Sequence, residues 1–123
     1  MPKIMVVDDD EDFTNIYKTT LNMKGFEATA VNQSTAAIEM AHLFKPDIFL
    51  IDLMMPVIDG FQLCKMIRQD PVVRNIPIII VTALTDDESK EVALGAGAND
   101  YITKPFSVDK LKSRIDALLE DKK

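Results

Sequence analysis

The apolar positions of this chain alternate between two periods. Short runs rich in β-branched residues stand at Ile4–Val7, Ile48–Ile51 and Ile78–Val81. Each is apolar at every position, as expected of strands buried on both faces in a parallel sheet. Phe26–Ala30 and Asp100–Thr103 are weaker candidates of the same kind. Between the runs the spacing changes to threes and fours. Phe13, Ile16, Tyr17 and Leu21 form one helical face, and Ala37, Met40, Ala41 and Phe44 form another. Val108, Leu111, Ile115 and Leu118 form a third. Residues 60–69 and 86–95 are also read as helices, the second with a thin apolar face of Val92, Ala93 and Leu94. The breakers agree with this division. Gly25 ends the first helix, Pro46 closes the second, Asp70-Pro71 closes the third, and Pro77 opens a strand.

The result is a βα unit repeated five times with short connections, read as one domain over residues 1–123. Parallel strands require right-handed crossovers, which lay helices over both faces of the sheet. Five strands are too few for an eight-stranded barrel. The expected class is therefore α/β, a flavodoxin-like doubly wound (βα)5 fold with strand order 2-1-3-4-5. Ligands of such sheets bind beyond the carboxyl ends of the strands, where the strand order reverses, here between strands one and three. Strand one ends in Asp8 and Asp9, and strand three ends in Asp52. Strand four ends in Thr82, and strand five leads to Lys104. The expected fold thus gathers three carboxylates, a hydroxyl and an ammonium at one edge.

The acidic cluster needs a physical reason. Two carboxylates at about 4 Å repel by about 4 kcal/mol at an effective dielectric of 20. A hard divalent cation relieves this, and Mg²⁺ favours one or two carboxylates together with waters and a phosphate. With Lys104 as a second positive charge, the edge is equipped to neutralise an incoming phosphoryl group. Asp52, central and backed by an apolar strand, is the natural nucleophile. Asp10, Glu11 and Asp12 suit a helix start, where one caps the N-terminus and the dipole favours the others.

Net charge is −6 with no basic block, which disfavours nucleic-acid binding through phosphates. No apolar run is long enough to span a bilayer, and the start of the chain lacks a signal-peptide layout. Cys64 is the only cysteine, so no internal disulfide can form and a reducing cytoplasm is the simplest setting. Cys64 itself reads as a small core residue, and His42 as a surface histidine with no evident partner.

IMVVDDDED, IDLMMPVIDG, IIIVTAL and NDYITKPF, in this order and spacing, resemble the receiver domain of two-component response regulators. The resemblance covers nearly the whole chain and implies specific roles. Asp52 would accept a phosphoryl group from a histidine-kinase phosphohistidine or a phosphotransfer protein. Asp8 and Asp9, with Asp9 the more direct ligand, would hold Mg²⁺ together with Asp52 and the main-chain carbonyl of Met54. Thr82 and Lys104 would engage the phosphoryl group, and Tyr101 would be the aromatic switch coupled to Thr82. The Lys104–Pro105 bond would be cis, and Gly60 would allow a sharp turn into the third helix.

Met54 and Leu84 stand at positions that tune phosphoryl lifetime in this family, and both are apolar. Neither side chain can hydrogen-bond an attacking water, so slow self-dephosphorylation is expected. The output surface would be helix four, strand five and helix five. Asp100 and Arg114 fit part of a charged network there, while Gly95 and Asn99 stand where transcriptional receivers carry acids, which weakens the case for the corresponding dimer. After the fifth helix the sequence reaches Lys122-Lys123, consistent with either a single-domain receiver or a piece of a longer regulator.

Three rival functions are weaker. A flavin-binding electron carrier needs a Ser/Thr/Gly-rich phosphate loop after strand one, where this chain has DDDED. A phosphatase with an aspartyl-phosphate intermediate would carry a second Asp at position 54, where Met54 stands. The remaining alternative is a degenerate receiver acting as a phosphorylation-independent protein-binding module, although all five site positions hold competent residues. The expectation is a domain that catalyses its own phosphorylation without turning over an external substrate.

Overall fold

Strand side chains alternate between faces, so each apolar run feeds two cores at once. In the computed structural model, which describes residues 1–120, the elements are β1 (Lys3–Val7), α1 (Glu11–Met23), β2 (Glu27–Val31), α2 (Ala37–Phe44), β3 (Ile48–Ile51), α3 (Gly60–Gln69), β4 (Ile78–Thr82), α4 (Asp87–Gly95), β5 (Asp100–Thr103) and α5 (Val108–Glu120). Lys122 and Lys123 lie outside the described residues. The sheet order is β2-β1-β3-β4-β5, and every pairing is parallel. Met5, Val7, Phe49, Ile51, Ile78 and Ile80 pack with Ala37, Ala41, Leu63, Cys64, Ile67 and Ala93 of α2, α3 and α4. Ile4, Val6, Ile48, Leu50, Ile79 and Val81 pack with Leu21, Leu111 and Ile115 of α1 and α5. Burial pushes the Cys64 thiol up to about 11, as befits a core residue. Among the described residues no helix is long and apolar enough to cross a membrane.

Three helical faces differ from their sequence reading. Ile16 is 63% exposed although its spacing matches the apolar stripe of α1. At 100° per residue, Phe13, Tyr17, Leu21 and the buried Thr14 span an arc of about 100°, and Ile16 lies about 110° from its centre. Met40 falls off the buried Ala37–Ala41 face of α2 for the same reason. On α4, Val92 and Leu94 are 47% and 41% exposed, and only Ala93 is buried. Three consecutive residues cannot share one face of a helix.

His42 does have a partner. Its Nε2 lies 2.8 Å from Asp70 Oδ2, which ties α2 to the residue that ends α3. Burial tends to raise the Asp70 pKa, but bonds from the Val72 and Val73 N–H groups and from His42 outweigh it and hold the carboxyl below its usual value.

Candidate functional site

The last rungs of the central sheet put the acids together. Val7 pairs with Ile51. The Asp52 N–H donates to the Val7 carbonyl at 3.0 Å, and the Asp8 N–H to the Val31 carbonyl at 3.1 Å. Both chains therefore leave the sheet side by side, and Asp8, Asp9 and Asp52 each bring a carboxylate oxygen within 4.8 Å of the others. Asp8 is buried and Asp9 exposed. Asp10 leaves the cluster to cap α1, its Oδ1 accepting from the Phe13 N–H at 3.1 Å, with Glu11 and Asp12 in the first turn.

Lys104 reaches the same point from β5. Its Nζ donates to Asp8 Oδ2 at 2.8 Å and lies 3.4 Å from Asp52 Oδ2. Asp8 Oδ1 also accepts from the Asp10 N–H at 3.0 Å. Burial raises the Asp8 pKa, and the bonds from Lys104 and Asp10 only partly oppose it. Burial would lower the pKa of Lys104, but its bonds to the two carboxylates prevail and hold it above its usual value, so the side chain stays an ammonium at neutral pH. One ammonium faces three carboxyl groups. The donor set is all oxygen, crowded and under-neutralised, and this fits a hard dication such as Mg²⁺.

The other predicted residues lie on the adjoining strands and loops. Thr82, fully buried, ends β4, and its carbonyl accepts from the Lys104 N–H at 2.8 Å. Its Oγ1 lies 3.5 Å from the Leu84 N. The buried Tyr101 donates its hydroxyl to the Leu84 carbonyl at 2.7 Å, linking β5 to the loop beyond Thr82. Met54 turns its side chain to solvent, and its N–H approaches Asp52 Oδ1 at 3.4 Å. The Lys104–Pro105 peptide is cis.

The loop from β3 to α3 corrects one expectation. Gly60 does not have a positive φ, so it is not required for a sharp turn. A Cβ there would collide with the Asp52 carbonyl oxygen and would stand 2.6 Å from Leu53 Cα. Glycine is needed because the start of α3 presses on the backbone of Asp52 itself. The helix start is held by a reciprocal cap, Asp59 accepting from the Gln62 N–H at 2.8 Å and Gln62 from the Asp59 N–H at 3.0 Å. In the same loop, Val57 has φ 71° and is 84% exposed. A β-branched residue is strained in this region, and little side-chain packing is lost with it. Val57→Gly is therefore expected to raise stability by about 0.5–1 kcal/mol, after the greater chain entropy of glycine is deducted. Urea denaturation of the two proteins checks this, and an unchanged or lowered midpoint contradicts it.

Sequence reasoning missed three contributors. Asn32 Nδ2 donates to the Asp8 carbonyl and to Thr14 Oγ1, both at 2.9 Å, bracing the strand end that carries the acids. The Lys104 ammonium lies 3.8 Å from the centroid of the Phe13 ring. Arg68 donates to the carbonyls of Gly97, Arg74 and Ile76 and to Asn99 Oδ1, clasping α3 to the loop that precedes β5. Asn99 is thus engaged at the base of the sheet, and Arg114 Nη1 pairs with Asp100 within the chain at 2.6 and 2.7 Å.

The sequence pattern of the response regulator receiver domain matches residues 4–116. Over 119 residues the chain is 34% identical to the DNA-binding dual master transcriptional regulator RpaA of Synechocystis, covering 97% of this chain and 49% of that protein. It spans about half the length of such curated relatives. The receiver domain of a Francisella response regulator superposes with a TM-score of 0.92 at 36% identity, covering 100% of both chains. The receiver domain of a Pseudomonas aeruginosa sensor histidine kinase, which coordinates a magnesium ion in its active site cleft, gives a TM-score of 0.88 at 29% identity over 97% of this chain and 98% of that one.

Proposed function

This chain belongs to the response regulator receiver domain family of two-component signalling, and from that premise we propose that it accepts a phosphoryl group on Asp52 from the phosphohistidine of a histidine kinase or phosphotransfer protein. The observation that carries this reading is the meeting of Asp8, Asp9 and Asp52 within 4.8 Å, with Lys104 bonded to the buried Asp8 and close to Asp52.

Asp8, Asp9, Asp52 and the main-chain carbonyl of Met54 would hold Mg²⁺, which when bound supplies positive charge toward the carboxylates and the phosphoryl oxygens. The chain's own residues do the rest. An Asp52 carboxylate oxygen attacks phosphorus, forming the acyl phosphate as the bond to the donor nitrogen breaks and its electron pair leaves with the imidazole. Lys104 keeps its charge and pairs with a phosphoryl oxygen. The Thr82 hydroxyl donates to another, which draws it toward the site. Tyr101, bonded to the loop that follows Thr82, carries that shift to the α4–β5–α5 surface. α4 is suited to respond, because Ala93 is its only buried residue. A protein partner or an output domain would read this surface, in the cytoplasm, with residues 1–123 acting as one receiver domain and no direct contact to nucleic acid or membrane. The chain performs its own phosphorylation and is not a turnover enzyme.

Incubation with Mg²⁺ and acetyl phosphate, followed by intact-mass measurement, is expected to give one phosphoryl adduct that does not form in EDTA. Failure with acetyl phosphate and with phosphohistidine donors alike would overturn the reading in favour of a binding-only module. The apolar Met54 and Leu84 side chains offer an attacking water no hydrogen bond, so the adduct is expected to decay with a half-life of at least minutes. Decay within seconds in the absence of a phosphatase contradicts that expectation.

A further inference from the structure

The Lys104 ammonium has three partners, and one of them is not an acid. Its ammonium lies 2.8 Å from Asp8, 3.4 Å from Asp52 and 3.8 Å from the Phe13 ring centroid. The ring is not a chance neighbour. Phe13 packs on Tyr17 with centroids 4.3 Å apart, and Tyr17 packs on Phe106 at 5.0 Å. Phe106 follows Lys104-Pro105 in the chain, so the three rings close a circuit from the lysine back to its own loop. The other end of the circuit is tied to the acids, because Asp10 caps Phe13 and bonds to Asp8. The cavity between the rings, Asp8 and Asp52 is about 10 Å³, space for one water at most. Among the described residues, Phe13 carries the one ring within cation–π reach of this ammonium.

This matters because Lys104 occupies the carboxylate that a divalent cation would use. An ion bound at Asp8 repels the ammonium that sits on the same carboxylate. A displaced ammonium either competes for the same carboxylates or needs another electron-rich surface. We propose that Phe13 is a positioning residue whose ring face retains the Lys104 ammonium when a divalent cation takes Asp8, keeping the lysine aimed at Asp52. This rests on the reading of the acidic cluster as a Mg²⁺ site.

The test is a double-mutant cycle read by Mg²⁺ calorimetry. Phe13→Leu is expected to weaken Mg²⁺ binding about threefold to tenfold, the range of a partly desolvated cation–π contact, and Phe13→Trp to restore it. In a Lys104→Met background the same Phe13→Leu change is expected to leave Mg²⁺ affinity unaltered. An equal loss in both backgrounds would mean that Phe13 only props up the loop, and would overturn the proposal. A wild type that binds no Mg²⁺ overturns the metal reading first and this proposal with it, an outcome distinct from intact binding without coupling. Should Phe13→Leu fail to fold, NMR of the wild type decides. The Lys104 ε-methylene protons are expected to be shifted upfield by the ring without Mg²⁺, and further upfield once Mg²⁺ binds. Loss of that shift once Mg²⁺ binds would overturn the proposal.

Discussion

Asp52→Asn is expected to take up no phosphoryl group under conditions where the wild type takes one. The amide has the size of the carboxylate but lacks its charge and nucleophilicity. The fold should hardly notice. The side-chain oxygen of Asn can still face the Met54 N–H, which approaches Asp52 Oδ1 at 3.4 Å, and the neighbouring Asp8–Lys104 bond at 2.8 Å does not involve the substituted group. Two electrostatic changes oppose each other. The repulsions of position 52 with Asp8 and Asp9 disappear, and so does the attraction to Lys104 at 3.4 Å. Two repulsions outnumber one attraction at comparable distances, so metal-free stability should be unchanged or higher. Mg²⁺ affinity should fall about tenfold or more, since one of three carboxylates is gone. Intact mass, a urea titration and Mg²⁺ calorimetry read the three quantities separately. An adduct of wild-type yield on the variant would move the acceptor elsewhere in the chain.

Gly60→Ala is expected to cause the largest loss of stability of any one-carbon addition near the site. The new methyl would stand against the Asp52 carbonyl, 2.6 Å from Leu53 Cα and 3.0 Å from the Asp52 carbonyl carbon. All three are backbone atoms and cannot rotate away. The strand end is pinned by the Asp52 N–H to the Val7 carbonyl at 3.0 Å, and the loop by the Gly60 N–H to the Leu53 carbonyl at 2.9 Å. Either α3 moves off the sheet or the segment carrying Asp52 moves. Overpacking of this kind costs about 1–3 kcal/mol and sometimes more, and the upper end is expected here. A displacement of about 1 Å at Asp52 can also lower its phosphorylation rate by about 10²-fold. Denaturant titration and the rate with acetyl phosphate test the two effects together. A variant as stable and as fast as the wild type would show that the loop yields freely.

The division between local and tertiary information follows the range of each interaction. Strand and helix identity depend on periods of two and 3.6 residues, which are local properties. The apolar runs ending at Val7, Ile51 and Val81, and the breakers between them, therefore located the elements. The parallel order that they imply brought Asp8, Asp9, Asp52, Thr82 and Lys104 to one edge without any contact being known. Which side of a helix meets the sheet is not local. Ile16, Met40, Val92 and Leu94 have core chemistry and suitable spacing, yet the azimuth at which each helix settles leaves them exposed. Contacts between distant side chains were equally invisible. Nothing near His42 announces Asp70, nothing near Arg68 announces the carbonyl of Gly97, and Phe13 reads as one more apolar position on α1. Gly60 was legible as a glycine in the right place, but its reason lies in the approach of α3 to the backbone of Asp52. The sequence by itself determined which groups stand at the acidic edge, because strand ends are set by local pattern. Only the tertiary structure decided what holds those groups in place, because burial and the approach of distant segments depend on the whole packed chain.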